Sequence, residues 1–273
     1  MTATKRVGIF DSGFGGLDVT RSIVRVLPQY DYMYLGDTAR APYGDRSQET
    51  IYEFTKQAVD FLFSHNCELI IVACNTASSE ALRKLQQEYL PKQHPDKKVL
   101  GVLIPAAEEA MTRSKNKKIG VIATAGTVAS GAYLRELAKF DPSVQVFQNA
   151  CSLLVPIVES GEQDSPETRA ILERYLAPLL HEDIDTLILG CTHYGILEDR
   201  IRAIVGPDIT IISSAAVVPE KLTEYLARHA DLEATLGRGA NIRFFSTDTT
   251  DSFKRLGSKF FGRDIEVEQA ILQ

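Results

Sequence analysis

No stretch of this 273-residue sequence approaches the roughly 18 consecutive apolar residues that a membrane-spanning helix needs. No secretory leader is expected either. In MTATKRVGIFDSG the apolar run after the basic pair is short, and Asp11 breaks it early, which does not fit a secretory signal. The expected location is the cytoplasm, with no membrane partner and with thiols kept reduced. Cysteine is scarce, with only Cys67, Cys74, Cys151 and Cys191, and no two form a CxxC pair. Neither a zinc ribbon nor a dithiol redox motif is signalled. An excess of positive charge is also missing: 30 Lys and Arg face 36 Asp and Glu, a net charge of -6. Short basic clusters such as Lys115, Lys117 and Lys118 read as a solvated loop before a strand, so nucleic acid is not expected as a primary ligand.

What is present is the profile of a folded globular protein, 44% hydrophobic and 24% charged, with length enough for two domains of ordinary size. Short apolar, β-branched runs alternate with stretches of helical period, the pattern of parallel strands joined by crossover helices. Strands are expected at 6–10, 32–35, 69–73, 99–103, 118–123, 186–190, 209–212 and 242–245. Helices are expected at 48–64, 78–90, 166–180 and 216–229. The fold class is therefore α/β, with mostly parallel sheets covered by helices on both faces.

The chain repeats itself. RVGIFDSGFGG at 6–16 matches KIGVIATAGTV at 118–128 in apolar pattern and in the glycine after the first apolar residue, an offset of 112 from Gly8 to Gly120. LIIVACNTAS at 69–78 matches TLILGCTHYG at 186–195, an offset of 117 from Cys74 to Cys191. The two offsets differ by a loop's worth of residues. We therefore expect two pseudo-symmetric αβα domains with the active site between them. The first would comprise 1–98 plus a returning tail, 209–273, and the second 99–208.

In open α/β sheets ligands bind beyond the carboxyl ends of the strands. Cys74 and Cys191 both occupy that place, each after an apolar run and before polar residues, Asn75 and Thr76 in one copy and Thr192 and His193 in the other. A single cysteine usually reads as a small buried hydrophobe, the assignment given to Cys67 and Cys151. Two at equivalent places in a repeat point instead to thiols that approach one molecule from opposite sides. Racemisation demands that arrangement, because one group removes a proton from one face while another returns a proton to the other. A thiol, with an ordinary pKa of about 8.5, can serve as either acid or base.

Each thiol needs a neighbour to manage its proton. Asp11, at the end of the first strand, is the candidate beside Cys74, although alone it fits a helix N-cap equally well. His193 is the candidate beside Cys191, although a lone histidine is more often structural. DSGFGG at 11–16 offers a tight turn and backbone N–H groups at a helix start, a cradle for a carboxylate or a phosphate. It lacks the third glycine of GxGxxG and the lysine of a P-loop, which makes a nucleotide the poorer reading. APYG at 41–44, Thr124 and Thr127 are further sources of donors, although Pro42 and Gly44 also fit simple turn residues. Cys191 and His193 are too few and too tightly spaced for zinc, and no metal is expected.

Together DSGFGG, GDTARAPYG, ACNTAS and GCTHYG resemble the glutamate racemase family of the aspartate/glutamate racemase superfamily, over almost the whole chain. The resemblance implies interconversion of L- and D-glutamate without pyridoxal phosphate, metal or other cofactor, supplying D-glutamate for peptidoglycan. It makes Cys74 and Cys191 the two bases, with Asp11 and His193 as their assistants. Ser12, Tyr43, Gly44, Asn75, Thr76, Thr124 and Thr192 become the residues that hold the substrate's carboxylates and amine. A homodimer is implied by the resemblance alone. Phe14, Asp18 and Gly195 depart from the family pattern. Because the chain starts just before its first strand, it resembles the shorter members, for which activation by a peptidoglycan precursor is not expected. The nearest rival is an aspartate racemase, whose second motif reads Cys-Thr-Glu rather than Cys191, Thr192, His193. A non-catalytic amino-acid-binding regulator is the rival of another class, and it would have no use for two thiols.

Overall fold

Apolar runs such as YMYL, LIIV and TLIL are buried on both faces, which commits them to the interior of parallel sheets. In the computed structural model, which describes residues 4–273, ten strands form two sheets. They are β1 (Arg6–Asp11), β2 (Tyr32–Gly36), β3 (Cys67–Val72), β4 (Lys98–Gly101), β5 (Lys118–Ala123), β6 (Gln145–Ala150), β7 (Thr186–Gly190), β8 (Thr210–Ser213), β9 (Ile242–Ser246) and β10 (Val267–Gln269). The first sheet runs β10-β9-β2-β1-β3-β4 and the second β6-β5-β7-β8. Every described strand pair is parallel. Residues 1–3 of the expected first domain lie outside the described residues.

The repeat has a direct structural counterpart. β1 lies between β2 and β3, and β5 lies between β6 and β7, so the order 2-1-3-4 recurs as 6-5-7-8. Gly8 and Gly120 sit in these two central strands, where close packing leaves little room for a side chain. A β-carbon at Gly8 would lie 3.1 Å from Cys67 Sγ, and one at Gly120 would lie 2.5 Å from Ile184 Cδ1. This packing accounts for the shared glycine and gives Cys67 its place in the core.

The expected boundaries at 99 and 209 each fall one strand too early. β4 pairs with β3 in the first sheet, and β8 pairs with β7 in the second. Each copy thus holds four strands, and the tail that returns to the first sheet begins with β9, which pairs with β2. An apolar run such as TIIS carries no local mark of the sheet edge it will join, since that choice is a long-range one. β6 and β10 escaped the sequence reading. Partly exposed QVFQNA and three-residue VEQ do not form apolar runs.

Helices Gln48–Ser64 and Pro166–Leu180 lie where expected. Ser47 and Ser165 cap them, accepting from the N–H groups of Thr50 and Thr168, and Pro166 occupies the first turn, where its missing N–H costs nothing. The expected helix 78–90 is instead a broken run. It starts at Asn75, is interrupted at Ala81 and passes through a π turn at Leu85–Tyr89. Ser214–Arg228 crosses from the second copy to pack on Gly16–Val26 of the first. One apolar core therefore runs through both copies, containing Ile9 and Leu17 with Leu187 and Val218.

The tail is tied down by Asp31, whose buried carboxylate accepts from Gly239 N, Asn241 N and Asn241 Nδ2 at 3.1 to 3.2 Å. Replacing Asp31 by Ala leaves these donors unpaired and should cost about 1–3 kcal/mol. Hydrogen exchange read by mass spectrometry should then accelerate in 237–246 while β5 and β7 stay protected. An unchanged tail would show that the tie is not needed.

Candidate active site

The two central strands are the switch points of their sheets, because the chain leaves each to neighbours on opposite sides. β1 delivers Asp11 and β5 delivers Thr124 at these points, while the adjacent β3 and β7 lead to Cys74 and Cys191. The copies face each other across a cleft lined by both thiols. Ser12, Tyr43, Gly44, Asn75 and Thr76 line it from the first copy, and Thr124, Thr192 and His193 from the second. Of the catalytic and donor residues singled out in the sequence, Asp11 and Thr127 are not part of this lining.

Cys74 caps the helix Asn75–Glu80, its Sγ accepting from Ala77 N at 3.4 Å and sharing a hydrogen bond of 3.2 Å with Ser12 Oγ. Burial, and then the charge of Asp11, push the Cys74 thiol up to about 12 against these two bonds. Asp11 itself makes no described hydrogen bond to Cys74. Its Oδ2 accepts from Gly13 N at 2.9 Å and its Oδ1 from Thr192 Oγ1 at 3.3 Å. The carboxylate cradle read in DSGFGG therefore exists, but the carboxylate bound by Gly13 is the protein's own. Burial raises the Asp11 pKa, opposed by the charge of His193 and by the N–H groups of Gly13 and Gly16.

At the other thiol, His193 Nδ1 lies 3.7 Å from Cys191 Sγ, and His193 Nε2 lies 3.0 Å from Glu159 Oε1. Burial alone would lower the imidazole pKa. The hydrogen bonds and negative charges of Cys191 and Glu159 outweigh it and raise the pKa to about 10. His193 is therefore an imidazolium at neutral pH, donating to sulfur on one side and to carboxylate on the other. Glu159 belongs to the cleft but was not found in the sequence. It comes from the short helix Leu154–Ser160 rather than from a strand end, so VPIVESGE carries no positional signal.

Several of the expected substrate-binding groups have hydrogen-bond partners within the protein. The Tyr43 hydroxyl donates to Asp37 Oδ2, which also accepts from Arg40 Nε, leaving the ring of Tyr43 to line the cleft. Thr192 gives its hydroxyl to Asp11. Thr76 and Thr124 share a hydrogen bond of 2.9 Å across the two copies, and Gly126 N donates to Gly44 O at 2.9 Å beside them. Asn75 Oδ1 accepts from the hydroxyl of Tyr133, a residue not singled out in the sequence, while its Nδ2 is buried with no partner. Two departures from the family pattern meet in space. A β-carbon at Gly195 would lie 2.9 Å from Asp18 Oδ2, so the acidic residue occupies the room a larger one at 195 would need.

With two thiols, an imidazolium beside one, a hydroxyl beside the other and an unpaired amide donor, the cleft can bind an anion and exchange protons with it from two directions. Comparison with known proteins agrees with this chemistry. A family model described as Asp/Glu/Hydantoin racemase matches residues 7–221. A glutamate racemase from Chlorobaculum tepidum is 41% identical over 261 residues, covering 95% of this chain and 93% of that protein. The crystal structure of glutamate racemase isoform RacE1 from Bacillus anthracis superposes with a TM-score of 0.90 at 37% identity, covering 99% of this chain and 98% of the other. That of Francisella tularensis glutamate racemase in complex with D-glutamate gives 0.89 at 31% identity, covering 99% of both chains. The chain belongs to the Asp/Glu/hydantoin racemase family, on its glutamate racemase branch, whose members are isomerases acting on amino acids.

Proposed function

We propose that this protein interconverts L- and D-glutamate by a two-base mechanism in which Cys74 and Cys191 act on opposite faces of the α-carbon and no cofactor takes part. The observation that carries the reading is the placement of both thiols in one cleft, each at the carboxyl end of an equivalent strand of the repeat. The Francisella tularensis relative holds D-glutamate, which supports glutamate as the substrate. The family resemblance carries the further reading that the reaction supplies D-glutamate for peptidoglycan, and the sequence pattern carries the reading that it runs in the cytoplasm.

The surroundings of the two thiols differ. The His193 ring lies 3.7 Å from Cys191 Sγ, whereas Cys74, buried and near Asp11, keeps its proton. In the L-to-D direction Cys191 Sγ is the base that removes the α-proton of L-glutamate, and the electron pair stays on the α-carbon and its carboxylate. The Cys74 thiol then delivers its proton to the opposite face. D-glutamate leaves, Cys191 holds the substrate's proton, and Cys74 is a thiolate that Ser12 Oγ and Ala77 N can solvate. Reaction of D-glutamate follows the same steps in reverse, as microscopic reversibility requires. The unpaired Asn75 amide and the hydroxyls of Thr76 and Thr124 are the donors assigned to the substrate's carboxylates.

Replacing Cys74 or Cys191 singly by Ser should lower racemisation by about a hundred- to ten-thousandfold or more, because a hydroxyl is a far weaker acid and its alkoxide inaccessible. Proton removal from one enantiomer needs only one thiol. A glutamate analogue carrying a β-leaving group should therefore still undergo elimination in each variant, from the D-form through Cys74 in Cys191→Ser and from the L-form through Cys191 in Cys74→Ser. Near-normal racemisation in either variant, or loss of elimination from the same enantiomer in both, contradicts two opposed thiols.

The raised pKa of His193 has a consequence for stability. A histidine titrating near 10 when folded and near 6.5 when unfolded contributes fully below about pH 6.5. Its contribution is lost as the pH rises towards 10. Urea midpoints of the protein and of His193→Gln should therefore differ most at pH 6 and converge by pH 10. A gap that widened with pH would mean that His193 is held neutral.

A further inference from the structure

We propose that Tyr133 is a positioning residue that links the two halves of the cleft, turning the Asn75 amide so that its NH₂ group faces the substrate carboxylate. Tyr133 lies in the first turn of the helix Ala132–Phe140 of the second copy, just after Gly131, whose φ of 61° lets the chain turn into that helix. It is fully buried, and its hydroxyl lies 3.0 Å from Asn75 Oδ1, immediately after Cys74 in the first copy. Its ring rests against the other thiol's strand. A β-carbon at Gly190, the residue before Cys191, would lie 3.1 Å from Tyr133 Cε2. One side chain therefore touches the residue after one thiol and the residue before the other.

The chemistry of an amide gives this contact its consequence. Burial, reinforced by the charge of Cys191, raises the Tyr133 pKa, so the phenol keeps its proton and can donate. With Asn75 Oδ1 accepting from this phenol, Nδ2 is left at the other end of the amide. Nδ2 is buried without a partner in a residue that lines the cleft. A carboxylate only accepts hydrogen bonds, so the amide is useful in this orientation alone. Turned over, it would set oxygen against oxygen. A β-carbon at Gly190 would crowd this ring and, as closely, Ala123 Cβ at 3.0 Å and Ile122 O at 3.1 Å.

The inference rests on the assignment of Asn75 to the substrate, and the test separates the two. Tyr133→Phe keeps the ring on Gly190 and removes only the hydroxyl. It should raise KM for both enantiomers about tenfold, the scale of one lost hydrogen bond, while kcat changes less than about threefold and Tm stays within a few degrees. Asn75→Ala should raise KM at least as much, and Tyr133→Phe added to it should raise KM no further, because the tyrosine acts through that amide. If Asn75→Ala leaves KM unchanged, the substrate assignment of Asn75 falls and this inference with it. If Asn75→Ala raises KM while Tyr133→Phe does not, or if the two effects multiply in the double variant, Tyr133 is only a packing residue and the inference is overturned.

Discussion

A β-carbon on Gly15 would lie 2.3 Å from Thr192 Oγ1 and 2.8 Å from the backbone nitrogen of His193, and one on Gly16 would lie 2.4 Å from Asp11 Cβ. The loop after β1 is thus pressed against the loop after β7 with no room for a side chain between them, and the cleft depends on that approach. It lets Thr192 of one copy reach Asp11 of the other, and it brings the elements carrying Cys74 and Cys191 to a single space. Further bonds between the copies surround the same space, from Thr76 to Thr124, from Gly126 to Gly44 and from Tyr133 to Asn75. Behind them the shared apolar core holds the two sheets together.

Within this near-symmetric frame the electrostatics are not symmetric. The thiol of the first copy has a hydroxyl and a backbone N–H as neighbours and lies near the negative charge of Asp11. The thiol of the second has an imidazolium backed by a carboxylate. A duplicated fold delivers two equivalent atoms and surrounds them with different neighbours. In the two-base reading proposed above the thiols exchange roles in each turnover, so neither set of neighbours can hold its thiol in one state too firmly.

Much of this arrangement is legible in the sequence, because strand ends and glycines leave local marks. Cys74 and Cys191 stand out as polar-flanked thiols after apolar runs, and Gly8 and Gly120 betray the repeat that aligns them. What escaped has long-range causes. Glu159 and Tyr133 reach the cleft from helices whose sequences are ordinary, and only tertiary packing brings them there. The sheet assignments of β4 and β8 depend on which edge is free, and the sequence window around each run is silent on that. Tyr43 is expected from the sequence to hold the substrate, and the commitment of its hydroxyl to Asp37 depends on a partner just after β2.

The central claim, that the proton removed and the proton returned belong to different thiols, is tested most directly by running the reaction in deuterium oxide and stopping it at low conversion. With two opposed bases, the product enantiomer carries one deuterium at its α-carbon from the first turnover, while recovered substrate carries almost none. This should hold starting from either L- or D-glutamate. If the product instead retains the substrate's own α-proton, or if deuterium enters the substrate as fast as product forms, a single base is serving both faces.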